Sequence, residues 1–182
     1  MTDPDELDDL VIRLQQAMKE FDQLLFDEEY KHDLGAPCTK TELAELERRV
    51  GRALPSTYFE FMARHNGWEK FDGDAKVLAV EDFGSDWVVK RLRDLAVLFY
   101  EAGPDPFEAG CKPVMLGEDA RVFLVLDPHS PKGGGEPMFV LYDLTRRYKE
   151  FRDFKDFLRY RLDVLHQIIE DELKGESDED DA

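Results

Sequence analysis

Cysteine is nearly absent: Cys38 and Cys111 are the only two in 182 residues, and they form no CxxC pair. A disulfide framework or a zinc centre needs more thiols at closer spacing, so two reduced thiols are expected and neither a metal nor a cofactor is assigned. The four histidines, His32, His65, His129 and His166, fall in separate segments with no HExxH or HxxxH neighbour to put two ligands on one helix face. Basic residues are scarce, 24 Lys and Arg against 42 Asp and Glu, for a formal charge of −18. Such an imbalance repels nucleic acid and anionic membranes over a Debye length of about 8 Å and implies a cationic partner, a basic protein. Long apolar runs are also missing. Nothing approaches the roughly 20 residues that span a bilayer, and residues 1–9 are acidic where a secretory signal is basic, so a cytoplasmic chain is expected.

Apolar material is ample for a core: 42% of residues are hydrophobic and thirteen are Phe. The length fits one domain with appendages. Residues 1–9 carry −5 and residues 170–182 carry −7, leaving −6 for the body. The second of these tails turns to Gly, Ser, Asp and Glu, a composition expected to be disordered.

Along the chain, Leu7, Leu10, Val11, Leu14, Met18, Phe21, Leu24 and Leu25 recur at spacings of three and four, which predicts a long amphipathic helix. A Gly-Pro loop at 33–37 ends this extension. Thr39-Lys40-Thr41-Glu42 fits a capping box and Gly51 a stop, so a helix is predicted over 40–50. Leu54-Pro55 opens the next, with Tyr58, Phe61, Met62 and His65 on one face, and Asn66-Gly67 closes it. Residues 76–80 read as a short strand, Trp87 to Phe99 return to helical spacing, and strands are predicted at 113–116, 122–127 and 138–142, with a further one at 147–151. A helix over 154–169 closes the chain. The order is α+β, with helices in front of an antiparallel meander and one behind.

The run Leu54-Pro55-Ser56-Thr57-Tyr58-Phe59-Glu60-Phe61-Met62-Ala63-Arg64-His65-Asn66-Gly67-Trp68 resembles the opening signature of the SUKH superfamily, the Smi/Knr-type proteins. Phe123-Leu124-Val125-Leu126-Asp127 resembles its later strand, and Phe154-Lys155-Asp156-Phe157-Leu158 its closing helix. The resemblance spans about residues 39–165; 69–112 match only loosely. It implies a curved antiparallel sheet flanked by helices and no enzymatic activity. Many bacterial members are immunity proteins that neutralise a polymorphic toxin, frequently a nuclease, whereas fungal relatives are regulatory interaction proteins. The organisation expected is therefore an N-terminal helical extension (1–38), a SUKH-like domain (39–169) and an acidic tail (170–182).

Trp68, Glu69, Asp72, Asp74, Glu81, Asp82, Asp86 and Trp87 place two indoles among six carboxylates, the mixture that anchors and steers a basic partner. The competing reading is that both tryptophans are core and the acids a solvated face. Asp127, His129 and Ser130 hold an acid, an imidazole and a hydroxyl, but neighbours in sequence are not a triad, which converges in space. The glycines 133–135 after Lys132 lack the GxxxxGK[ST] order of a phosphate cradle and read as a hairpin loop. An immunity protein that occludes a toxin is the reading favoured, with a regulatory or scaffolding module as the alternative. Monomer and homodimer are both compatible, since the stripe of the first helix suits its own domain or a second copy.

Overall fold

Segments 112–116, 122–127 and 138–143 are apolar at consecutive rather than alternate positions, as befits strands covered on both faces. The computed structural model describes residues 4–27, 30–129 and 137–179. Its elements are α1 (Pro4–Phe26), α2 (Lys40–Val50), α3 (Ser56–Arg64), β1 (Trp68–Asp72), β2 (Ala75–Val77), a 3-10 turn (Val80–Asp82), α4 (Asp86–Ala102), β3 (Lys112–Leu116), β4 (Val122–Asp127), β5 (Met138–Asp143), β6 (Arg146–Phe151) and α5 (Phe154–Glu179). The strands form one open antiparallel sheet in the order β1-β2-β3-β4-β5-β6. The α+β class holds.

The chain divides into two compact units, 33–154 and 1–32 with 155–182. In the first, β4 and β5 pair without interruption, Phe123 opposite Tyr142 and Leu126 opposite Phe139. Because side chains alternate, Phe123 and Tyr142 point to one face, where Phe99 of α4 meets both edge-on. Phe139 points to the other, against Tyr58 of α3 and Phe154. The sheet is thus sandwiched between α4 and the α2–α3 hairpin, which explains why its strands are apolar throughout.

The ends of α2 follow the sequence. Thr39 Oγ1 accepts the Glu42 N–H and the Glu42 carboxylate accepts the Thr39 N–H, while Gly51 closes the helix at φ 84°. Thr39→Ala is expected to lower stability by about 1 kcal/mol, read from the shift in urea midpoint.

In this unit two elements depart from expectation. The strand predicted at 76–80 ends at Val77, because the chain turns into the 3-10 turn. A strand not foreseen, β1, precedes it: Trp68 and Phe71 are both buried although an odd spacing should place them on opposite faces. Lys70, at φ 48°, and the irregular register between Trp68 and Asp72 supply the bulge that turns both inward.

In the second unit, Leu7, Leu10, Val11, Leu14 and Met18 of α1 are buried, as their periodicity requires. Glu6 accepts from Lys155 at 3.0 Å and also from Arg159. Lys155 is almost fully buried, and its hydrogen bond, followed by that of Arg159, holds the Glu6 carboxyl below the usual glutamate value of 4.5. A lowered folded pKa means that this tie stabilises above the unfolded value and is lost as pH falls through the folded one. The stability gap between wild type and Glu6→Gln should therefore shrink from neutral pH toward about pH 3 in urea titrations; a constant gap would contradict the tie.

α5 continues to Glu179, ten residues past the expected end at Ile169 and into the segment whose composition predicted disorder. Gln167 with Asp171 (2.9 Å) and Lys174 with Glu170 (3.8 Å) are pairs four residues apart of the kind that extend a solvated helix. Residues 180–182, and residues 130–136, where the glycine-rich hairpin loop is expected, lie outside the described residues.

Candidate partner-binding surface

The Asn66-Gly67 pair does more than stop α3. Gly67 sits at φ 82°, where a Cβ would lie 2.8 Å from the Val77 carbonyl oxygen, so only glycine fits. Asn66 Oδ1 accepts the Val80 N–H at 2.8 Å and its Nδ2 donates to Glu81 at 3.0 Å. The side chain thereby latches the segment leading from β2 into the 3-10 turn.

Asp82 ends that turn, and its buried carboxylate organises the approach to α4. Oδ2 accepts the Ala79 N–H at 2.9 Å and lies 3.0 Å from the Lys76 ammonium; Oδ1 accepts the Trp87 Nε1–H at 3.3 Å. Its carbonyl accepts the Ser85 N–H and hydroxyl, which starts α4. One aspartate thus fixes a lysine and a tryptophan side by side. The Lys76 ammonium stands 5.5 Å from the Trp87 ring centroid and 3.0 Å from Glu69. Burial draws the Lys76 pKa down, but the hydrogen bonds to Asp82 and Glu69 outweigh it and hold the amine above the ordinary lysine value.

Around this pair opens a pocket of about 200 Å³ lined by Glu69, Asp74, Lys76, Trp87, Leu116, Gly117 and Glu118. The Asp74 carboxylate accepts the Asp119 N–H at 2.8 Å, tying the β1–β2 turn to the β3–β4 turn. Three carboxylates against one ammonium, with a half-buried indole as wall, suit a guanidinium or ammonium group.

The eight residues singled out in the sequence separate accordingly. Glu69, Asp74 and Trp87 come together in the pocket. Trp68 does not: it is 1% exposed, stacked on Phe61 and edge-on to Phe71, so its indole belongs to the core. Asp82 is buried and acts through Trp87 and Lys76. Glu81 is tied to Asn66, and Asp72 and Asp86 lie outside the pocket lining, at the end of β1 and the start of α4. Lys76 and Glu118 were missed; the one signal for Lys76 was a lone cation heading an apolar run between acids.

The Asp127 carboxylate accepts the His129 backbone N–H at 2.9 Å and lies 3.5 Å from Arg147, while His129 Nε2 bonds the Ala109 carbonyl at 2.8 Å. The acid orients the backbone of His129 rather than its ring, which is a turn and not the relay of a triad; Ser130 lies outside the described residues. Burial pushes the Cys111 thiol up to about 12, with Asp127 adding to it, and the Cys38 thiol up to about 11. Both are therefore protonated at neutral pH and poor nucleophiles. Among the described residues no cluster of His, Cys, Asp and Glu could hold a metal ion, and no helix is long and apolar enough to cross a membrane.

Residues 37–160 match the SMI1 / KNR4 family (SUKH-1), and the chain belongs to that family. A 45-residue stretch is 38% identical to the uncharacterized protein YnaB of Bacillus subtilis (strain 168), covering 25% of this chain and 31% of YnaB. The match thus spans about a third of that relative's length.

Proposed function

We propose that this chain is an immunity protein that binds a cognate toxin carrying a basic surface and neutralises it by occlusion. Membership of the SUKH-1 family supports this reading, since immunity is a role of many bacterial members. The observation that carries it is the acidic pocket built on Glu69, Asp74, Glu118 and Trp87, which presents an aromatic anchor inside a cation-attracting rim. A toxin that acts on phosphates is itself cationic at its active site, so an acidic protein competes with the substrate for the same groups. The overall charge of −18 accelerates the encounter, by roughly 10-fold to 1,000-fold at low salt. Stopped-flow association with the cognate toxin tests this: the rate should fall with added salt and fall again in Glu69→Lys and Glu118→Lys. A rate indifferent to salt and to both charge reversals would count against the reading, and capture of many unrelated host proteins would favour a regulatory module.

A further inference from the structure

On α4, 100° per residue places Lys90, Asp94, Val97 and Glu101 on one outward stripe, opposite the buried Val88, Leu95 and Phe99. The second half of that outward side is apolar where a solvated helix should be polar. Val97 is 70% exposed, Leu98 44% and Tyr100 92%, so three large hydrophobic residues stand in solvent within four positions. They border an open groove of about 470 Å³ together with Ala96 and Glu101. Such clustering marks a contact surface, whereas isolated exposed residues do not.

The charges around it specify the occupant. Lys90 is paired with Asp94 at 2.7 Å, but Arg93 and Glu101 have no ion partner among the described residues. They lie four residues either side of Val97, about 12 Å apart along the axis. A two-fold axis passing at Val97 lays a second α4 antiparallel on the first, with Arg93 of each copy facing Glu101 of the other and the apolar residues between them. A parallel alignment sets Arg93 against Arg93. We propose that this face of α4 is the contact between two copies of the chain, centred on Val97 and clamped by reciprocal Arg93–Glu101 pairs. The inference is independent of the immunity reading.

The contact is small, below the roughly 1,200 Å² of stable complexes, and the net charge opposes it beyond a Debye length of about 8 Å. A weak dimer follows, with a dissociation constant on the order of 100 μM. Sedimentation equilibrium of the full chain from about 10 μM to about 1 mM reads it directly. Wild type should pass from monomer toward dimer over that range. Arg93→Glu and Glu101→Arg should each weaken association at least about tenfold, and the two combined should restore it, because both pairs re-form with their signs exchanged. All these positions are exposed, and unchanged circular dichroism verifies the fold of each variant. A monomer at every concentration, single reversals without effect, or a double variant as weak as the singles would overturn the proposal. Binding of a different protein to this face with no self-association would overturn it as well.

Discussion

Trp68→Ala is expected to lower the unfolding free energy by about 3–5 kcal/mol, the cost of emptying a large aromatic site in a packed core. Against a typical total of about 5–15 kcal/mol, that leaves a marginal or unfolded protein. The indole is surrounded by Phe61 and Phe71, and the Trp68 backbone pairs with Val77 across β1–β2, so no rearrangement of loops can refill the space cheaply. Trp87→Ala is expected to behave in the opposite way. Its ring is half-buried, so truncation should cost about 1–2 kcal/mol of stability while removing the anchor of the pocket and about 2 kcal/mol or more of partner affinity. Urea denaturation and partner titration on both variants separate the two roles. Equal loss of stability would mean that Trp87 is as much a core residue as Trp68.

Asp82→Ala is the second large effect. It strips a carboxylate that is 6% exposed and leaves the Ala79 N–H, the Trp87 N–H and the Lys76 ammonium without their common acceptor. Unsatisfied buried donors cost about 1–3 kcal/mol each, so a loss of ~3 kcal/mol is expected by denaturation, with Lys76 keeping Glu69 as a partner at 3.0 Å. Asp82→Asn keeps one carbonyl acceptor and should lose less, while Lys76→Met alone, which leaves the two N–H groups their acceptor, should cost less than Asp82→Ala. If Lys76→Met cost as much as Asp82→Ala, the account of Asp82 as shared acceptor for the Ala79 and Trp87 N–H groups would be wrong.

The bounds of α2 were legible to the residue because its ends are written in local chemistry, a Thr-Glu capping box and a left-handed glycine. β4 was equally legible, since a five-residue apolar run closed by Asp127 and bounded by turns admits one reading. β1 was not, because its two buried aromatics are three residues apart and only the bulge at Lys70 brings them to one face. The far end of α5 was lost for another reason: acidic residues that favour disorder by composition also support a solvated helix through pairs four residues apart. For the pocket, Glu69, Asp74 and Trp87 were found together, yet Trp68 and Trp87 looked equivalent. Position separates them: one heads a strand whose side chain faces the core, the other sits in the first turn of α4 beside Asp82. Lys76 carries only the pattern of a strand residue in the sequence, and its part in the pocket depends on Asp82, which reaches it through the 3-10 turn.

The central claim is that the acidic Trp87 pocket grips a basic toxin. The most direct test co-expresses the cognate toxin with wild-type chain, with Trp87→Ala and with Glu69→Lys combined with Glu118→Lys, each at matched folded level, and scores growth. The account predicts full rescue by wild type and loss of rescue by both pocket variants. Rescue by all three would place the toxin on another surface, and failure of the wild type itself would remove the immunity reading altogether.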